Sequence, residues 1–358
     1  MSKSRILEVV SGLGMGGAEK ALINRMKYVP NEFEHTVLNV RPEIDVLELN
    51  PTIREHRVSR RGILRIINIY KFLLQNSFDI VIVRTPVDAI RFGLLRTLCP
   101  QHVPRLVFEA HNNFVTKRFG MRILLHKLLQ LSFRMLDLIV AVSQNVSNGP
   151  QCQGHKNIHT IYLGAELNEL PLLQRTSNAA RLIYVGRLVD FKRPVWLLER
   201  LLAVRIRQPL SNCVLTIVGS GPLENELRDF VSRYDLEDFV CIAGRQINIT
   251  PYLISATHLV SSSTNEGLPL AFFEAKLAGL AILATPSGGG AEIFDVEDQE
   301  LESQSEEAFE AALEKILITP PPSLEERRQI QEKSSWMSAE QCAKDYYLVL
   351  SQLLSTEQ

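Results

Sequence analysis

The stretch Ser261-Ser262-Ser263-Thr264-Asn265-Glu266-Gly267-Leu268-Pro269-Leu270-Ala271-Phe272-Phe273-Glu274 holds two carboxylates with seven residues between them. Gly267 and Pro269 mark a turn, so Glu266 falls in a loop and Glu274 in the helix that FFEAKLAG predicts. A loop carboxylate can reach a sugar hydroxyl, and the first N–H groups of a helix point at phosphate. Glu274, two turns along, can accept hydrogen bonds from ribose hydroxyls. Read plainly, one carboxylate caps the helix and the other lies on the surface. The apolar flanks Phe272, Phe273 and Ala275 argue instead that Glu274 is buried, and a buried carboxylate needs a partner.

Two cations offer matching chemistry. Arg187 and Lys192 stand five residues apart in GRLVDFKRP, beside Gly186 at the end of a predicted strand. Together they suit a diphosphate and would neutralise the charge that builds on a departing nucleoside diphosphate. The plain alternative is a pair of solvated loop cations. Gly219-Ser220-Gly221-Pro222 is equally a strand-to-helix turn or a ligand contact. Near the start, Gly12, Gly14 and Gly17 satisfy GxGxxG. A dinucleotide site would also want an acidic residue closing the next strand, about 20 residues on. That strand ends Asn39-Val40-Arg41-Pro42, with Glu43 after the proline, so a dehydrogenase is not expected.

The elements that must position these residues alternate in type. RILEVV (5–10), HTVLNV (35–40), DIVIVR (79–84), RLVFEA (105–110) and LIVAVS (138–143) read as strands with helical patterns between them. The series then restarts with RLIYVGR (181–187), VLTIVGS (214–220), FVCIAGR (239–245), HLVSSS (258–263) and AILATPS (281–287). Near-continuous apolar strands separated by helices predict parallel sheets covered on both faces. The expected fold class is α/β, with two doubly wound Rossmann-like domains facing a central cleft. The expected domains are 1–165 and 166–337, with the amphipathic helix in 338–358 packing back on the first. Leu163 to Ala180, which carries Pro171 and no strand period, is the expected hinge. Strand C-terminal ends are where open α/β sheets bind ligands.

A chain of 358 residues accommodates two such domains. No apolar run reaches the roughly 20 residues that span a bilayer, and MSKSRILEVV reads as a polar lead into a strand, not as a signal core. Cys99, Cys152, Cys213, Cys241 and Cys342 are never spaced CxxC, and are expected to be reduced thiols of a cytoplasmic protein. The overall charge of −1 conceals +9 over residues 1–175 and −10 over the remainder. Opposite signs can help two halves attract one another, or turn the first half toward an anionic surface. Composition does not separate these readings.

Gly186-Arg187…Lys192, Gly219-Ser220-Gly221-Pro222, Glu266-x7-Glu274 and Gly288-Gly289-Gly290-Ala291-Glu292-Ile293 occur in the order seen in retaining glycosyltransferase family 4, which the chain resembles over nearly its whole length. The turn GMGGAE (14–19), His111-Asn112-Asn113 and Ala141-Val142-Ser143-Gln144 look like that family's first-domain segments. The resemblance implies the GT-B fold and transfer of a sugar from a nucleotide-sugar, UDP-linked in preference to GDP-linked. It implies that Gly186, Arg187, Lys192, Gly219, Gly221, Arg245, Glu266, Gly267, Leu268, Pro269, Leu270 and Glu274 bind the donor. Gly16 and Gly17 would close over its phosphates. His111, Glu266, Arg187 and Lys192 would form the catalytic set. Retention without a second carboxylate placed for double displacement implies a front-face reaction. No Asp-x-Asp stands where a donor diphosphate would need a metal, so neither metal nor cofactor is expected. At the interdomain crossing the chain departs from the family's usual turn, reading Tyr162-Leu163-Gly164-Ala165-Glu166.

The implied acceptor is a glycan or lipid-linked glycan, held by the basic first domain. Two basic surfaces are candidates for an anionic membrane: Arg54, Arg57, Arg60, Arg61, Arg65 and Lys71 around ILRIINIYKFLL, and Lys117, Arg118, Arg122, Lys127 and Arg134 within MRILLHKLLQLSF. Each alone also fits a core helix with a solvated basic face. The expected location is the cytoplasm, with peripheral attachment to the inner membrane face, and no nucleic-acid partner is expected. The rival functions are a nucleotide-sugar epimerase or hydrolase of the same fold, and a non-catalytic nucleotide-sugar-binding protein.

Overall fold

A computed structural model describes residues 3–14, 16–44, 47–58, 62–113, 131–166, 172, 179–207, 214–294, 298–300 and 304–356. The chain forms two compact units, 1–164 with 339–358, and 165–338.

The first unit is built on a seven-stranded sheet in the order β3-β2-β1-β4-β5-β6-β7. Its strands are β1 (Ser4–Val10), β2 (Phe33–Asn39), β3 (Arg54–Arg57), β4 (Ile80–Val83), β5 (Leu106–Ala110), β6 (Leu138–Ala141) and β7 (Ile158–Thr160). Every pairing is parallel. β4 reads IVIV and β6 LIVA, and all eight residues are buried, as sheets covered on both faces require. The order changes direction at β1, which has β2 on one side and β4 on the other. The loops leaving β1 and β4 therefore diverge at the crevice where such sheets take ligands.

Ile6, Ile80, Ile82, Val107, Leu138 and Val140 cover one face of this sheet. Against them lie Cys342, Ala343, Tyr346, Tyr347 and Leu350 from the helix Ala339–Ser355. Their spacing of three and four residues places one apolar stripe on the sheet.

The second unit holds six parallel strands in the order β10-β9-β8-β11-β12-β13. They are β8 (Arg181–Val185), β9 (Val214–Val218), β10 (Val240–Gly244), β11 (His258–Ser261), β12 (Ala281–Ala284) and β13 (Gln299–Glu300). Here the order reverses at β8, between β9 and β11. Leu197, Leu201 and Val204 of the helix Pro194–Arg207 pack with Leu182, Leu215 and Ile217 of the sheet.

The α/β class and the ten apolar strands agree with expectation. The strands missing from it are β3, β7 and β13, of sequence REHR, IHT and QE. All three lie at sheet edges, where one side of the strand has no neighbouring strand and a continuous apolar run is not required. A charged edge such as REHR also discourages pairing with another chain. Much of the expected hinge, including Pro171, lies outside the described residues, as do Arg60, Arg61, Lys117, Arg118, Arg122 and Lys127.

Candidate active site

In the second unit the loops leaving β8, β9, β10 and β11 are tied to one another by backbone. After β8 the chain runs through Gly186 and exposed Arg187 into a short turn, Asp190–Lys192. Arg193 then takes a left-handed conformation, φ 46°. Its Nε donates to the Ser262 carbonyl at 2.7 Å, and the Ser262 hydroxyl donates to the carbonyls of Lys192 and Arg193, each at 2.9 Å. The Thr264 amide reaches the Phe191 carbonyl at 2.8 Å. Two hydroxyl-rich residues after β11 thus fix the backbone that carries Lys192.

Lys192 Nζ meets Glu266 Oε1 at 2.5 Å, and the Ser263 hydroxyl donates to the same oxygen at 2.8 Å. The Glu266 amide donates to the Ser287 carbonyl at 2.6 Å, and its carbonyl accepts from the Gly289 amide at 3.1 Å. Glu266 is therefore held at both backbone and side chain, on a segment that joins the loop after β11 to the loop after β12. Gly267, Leu268 and Pro269 are buried and lead into the helix Leu270–Leu277, which carries Glu274 at 9% exposure. A small pocket among Lys192, Ser263, Glu266, Pro269 and Phe272 has Tyr184 in its wall. Burial, with Glu266 nearby, pushes the Tyr184 phenol far above its ordinary range.

The glycine turn after β9 is a packing requirement. A Cβ at Gly219 would stand 1.8 Å from the Gly186 carbonyl oxygen, and one at Gly221 would stand 2.4 Å from that of Leu188. Gly219 also donates to the carbonyl of Gly244 at 2.9 Å, so the loops after β8, β9 and β10 lie together, with exposed Arg245 next in sequence. The structure thus joins Lys192 to Glu266 directly and sets Gly186 against Gly219. Among the described residues no side-chain contact joins Arg187 or Arg245 to them, although the Arg187 carbonyl accepts from the Tyr184 hydroxyl at 3.3 Å.

In the first unit His111 follows β5, and its Nε2 lies 3.0 Å from Glu109 Oε1. Glu109 Oε2 accepts from Arg25 at 3.1 Å, Arg84 at 2.9 Å and the Tyr346 hydroxyl at 3.0 Å. The same two arginines meet Glu8, at 3.5 Å for Arg25 and 2.5 Å for Arg84, and His35 Nδ1 is 3.2 Å from Glu8. Tyr347 closes the group at 3.0 Å from His35 Nε2. Burial would raise both carboxyls, but the guanidiniums dominate. Arg84, with His35 and Arg25, holds Glu8 at about 2. Arg25, Arg84 and His111 hold Glu109 well below the ordinary carboxylate range. The sequence marks His111 as a candidate site residue but does not reveal the ionic cluster behind it. Its signal was present, since Glu8 and Glu109 interrupt the apolar strands ILEVV and LVFEA.

Gly16 caps the helix Gly17–Met26, while Met15 in the same turn lies outside the described residues. Among the described residues no three His, Cys, Asp or Glu side chains are grouped to hold a metal ion. Among them, too, no helix is long and apolar enough to cross a membrane.

Two families match successive parts of the chain: Glycosyltransferase Family 4 over residues 15–169, and Glycosyl transferases group 1 over residues 179–318. The chain belongs to this glycosyltransferase family. It is 29% identical over 160 residues to the amylovoran biosynthesis glycosyltransferase AmsD of Erwinia amylovora, covering 44% of this chain and 43% of that one. A longer match, 22% identical over 320 residues, covers 80% of this chain and 81% of an Escherichia coli UDP-Gal:alpha-D-GlcNAc-diphosphoundecaprenol alpha-1,3-galactosyltransferase. The chain spans less than half the length of the first curated relatives it matches. Among solved structures, Anabaena HepE in complex with UDP and glucose superposes with a TM-score of 0.77 at 16% identity, covering 97% of this chain and 99% of that one. The fold is GT-B.

Proposed function

We propose that this chain transfers a sugar, with retention of anomeric configuration, from a nucleotide-sugar to a hydroxyl of a glycan or lipid-linked glycan. UDP is the first choice of nucleotide and GDP the second, and the setting is cell-surface polysaccharide or glycolipid synthesis. The observation that carries this reading is Lys192 held against Glu266 and Ser263 beside the start of the helix Leu270–Leu277. A cation, a hydrogen-bonding carboxylate and the start of a helix thus share one small pocket, which supports a site for a phosphorylated sugar donor. Relatives that use UDP-galactose or bind UDP with glucose support the nucleotide.

In this reading Arg187 and Lys192 bind the diphosphate, with Gly186, Gly219, Gly221 and Arg245 along its path and Gly16 and Gly17 contributing from the first unit. Glu274 takes the ribose. Glu266 and the backbone of Gly267, Leu268, Pro269 and Leu270 position the sugar, with His111 on the acceptor side. As the bond from the anomeric carbon to the diphosphate breaks, the acceptor oxygen bonds to that carbon on the same face. The acceptor proton passes to the departing phosphate oxygen. Lys192 and Arg187 stabilise the charge left on the nucleoside diphosphate. The enzyme would work in the cytoplasm, peripherally on the inner membrane face.

The test is nucleoside diphosphate release from UDP-, GDP- and ADP-sugars, with and without a lipid-linked glycan. Release that requires the acceptor is expected with UDP-sugars. Release that ignores the acceptor would mean a hydrolase, and a changed sugar on intact UDP would mean an epimerase.

A further inference from the structure

Away from the Lys192–Glu266 pocket, a second pocket opens in the first unit at the C-terminal ends of β1, β2 and β4. Three guanidiniums line it: Arg41, Arg65 and Arg91. Ser11 and Thr85 add hydroxyls, and one carboxylate, Glu43, also lines it. Arg41 and Glu43 are both largely exposed and 3.8 Å apart, a loose pairing of small value. Arg91 is held at 2.7 Å by buried Asp88, which also accepts from the Thr85 and Ser11 hydroxyls. Arg65 is buried to 9% exposure. Burial, and the neighbouring charges of Arg91 and Arg41, lower its pKa against the opposing pull of Glu43 and Asp88. Like charges gathered at one concave site stabilise a bound anion.

The two helices that begin at this pocket carry exposed apolar side chains. In the helix Ile63–Gln75, which contributes Arg65, Leu64, Ile67 and Leu74 are exposed and repeat at helical spacing. In the helix Pro86–Leu98, Val87, Leu94 and Leu98 are exposed, and Arg91 falls on the same stripe. Leu98 is 77% exposed. Each helix also buries other side chains in the unit, Ile69 and Leu73 in the first, Phe92 and Leu95 in the second. The outward stripes are therefore additional to what packing needs.

We propose that the Arg41–Arg65–Arg91 pocket binds the phosphate or diphosphate head of a lipid-linked acceptor, with the apolar stripes taking the first part of its hydrocarbon chain. An anion with an apolar tail complements both features, whereas a free anion would use only the pocket. The proposal rests on the transfer reading above, and names the part of the acceptor that carries no reacting hydroxyl.

The test uses the full chain saturated with UDP, and three probes followed by calorimetry: farnesyl diphosphate below its aggregation concentration, inorganic pyrophosphate, and farnesol. Farnesyl diphosphate is expected to bind saturably and at least about tenfold more tightly than pyrophosphate, with farnesol not binding. Arg41→Gln and Arg91→Gln should each weaken it about tenfold, the loss of one charge-assisted contact, and Arg41→Lys should recover part of that loss. Ile67→Ser combined with Leu94→Ser should reduce its affinity to that of pyrophosphate. UDP affinity and melting temperature, measured in parallel, should match the unaltered chain, because Arg41, Ile67 and Leu94 are all exposed. Failure of farnesyl diphosphate to bind, or binding indifferent to Arg41→Gln, overturns the proposal. Equal affinity for pyrophosphate, unaffected by the apolar substitutions, makes the pocket a free-anion site and overturns the lipid assignment. Failure of the chain to release nucleoside diphosphate from any donor would overturn the transfer reading instead.

Discussion

Lys192 and Glu266 are 74 positions apart in sequence and 2.5 Å apart in space. An anion that recruits Lys192 must take it from Glu266 or share it. Replacing Glu266 with Gln removes that competition, so UDP affinity should be spared or rise a few-fold. Transfer should fall by about a hundredfold, the scale of one lost group that stabilises a transition state. Glu274→Gln should instead weaken UDP by about tenfold. Calorimetry with UDP alongside steady-state transfer separates the two, and equal loss of UDP binding in both variants would end this division of roles. Both glutamates and both cations were legible as candidates from type and spacing. The partnership was not, because no local pattern encodes which loop the fold sets beside which. Glu8 and Glu109 were legible only as anomalies, charges inside apolar strands whose partners Arg25 and Arg84 come from distant segments.

At the scale of elements, the sheets were readable wherever strands are buried on both faces, and unreadable at the edges REHR, IHT and QE. From sequence, the turn after β9 is equally a plain turn or a ligand contact. The geometry shows a steric need that holds whatever binds there. Gly219→Ala sets a Cβ 1.8 Å from the Gly186 carbonyl oxygen, so it should destabilise the second unit by about 3 kcal/mol. Urea unfolding would measure this, and a loss below about 1 kcal/mol would show that the two loops separate easily.

The cluster under β1 and β5 has its own pH signature. Glu8 has a folded-state pKa of about 2, below the ordinary glutamate value of 4.5. Its contribution is thus complete above about pH 4.5 and is lost as pH falls toward 2, about 3 kcal/mol in all. Denaturation between pH 7 and pH 2 should show a plateau and then this decline. Glu8→Gln should flatten the decline and lower the plateau, because Arg84 and Arg25 are left short of a buried partner.

For the whole molecule, the helix Ala339–Ser355 is the piece that completes the first unit. Tyr346 and Tyr347 bond to Glu109 and His35, and the Arg25 guanidinium lies 3.6 Å from the centre of the Tyr346 ring. Ending the chain at Ser338 should therefore unfold or greatly loosen residues 1–164. UDP binding by residues 165–338 should persist, which differential scanning calorimetry with and without UDP would reveal as one lost and one retained transition. Because the first unit is interrupted by the second, the ribosome makes its two segments, 1–164 and 339–358, at different times. At roughly 5–20 residues per second, the 174 residues of 165–338 separate them by about 10–35 s. During that interval Glu8, Arg25 and Glu109 are without their tyrosine cover and the Ile6–Ile80–Val107 face has no helix over it. Apolar surface uncovered during that interval is prone to aggregate, and a translational pause after Ser338 would lengthen the time at risk.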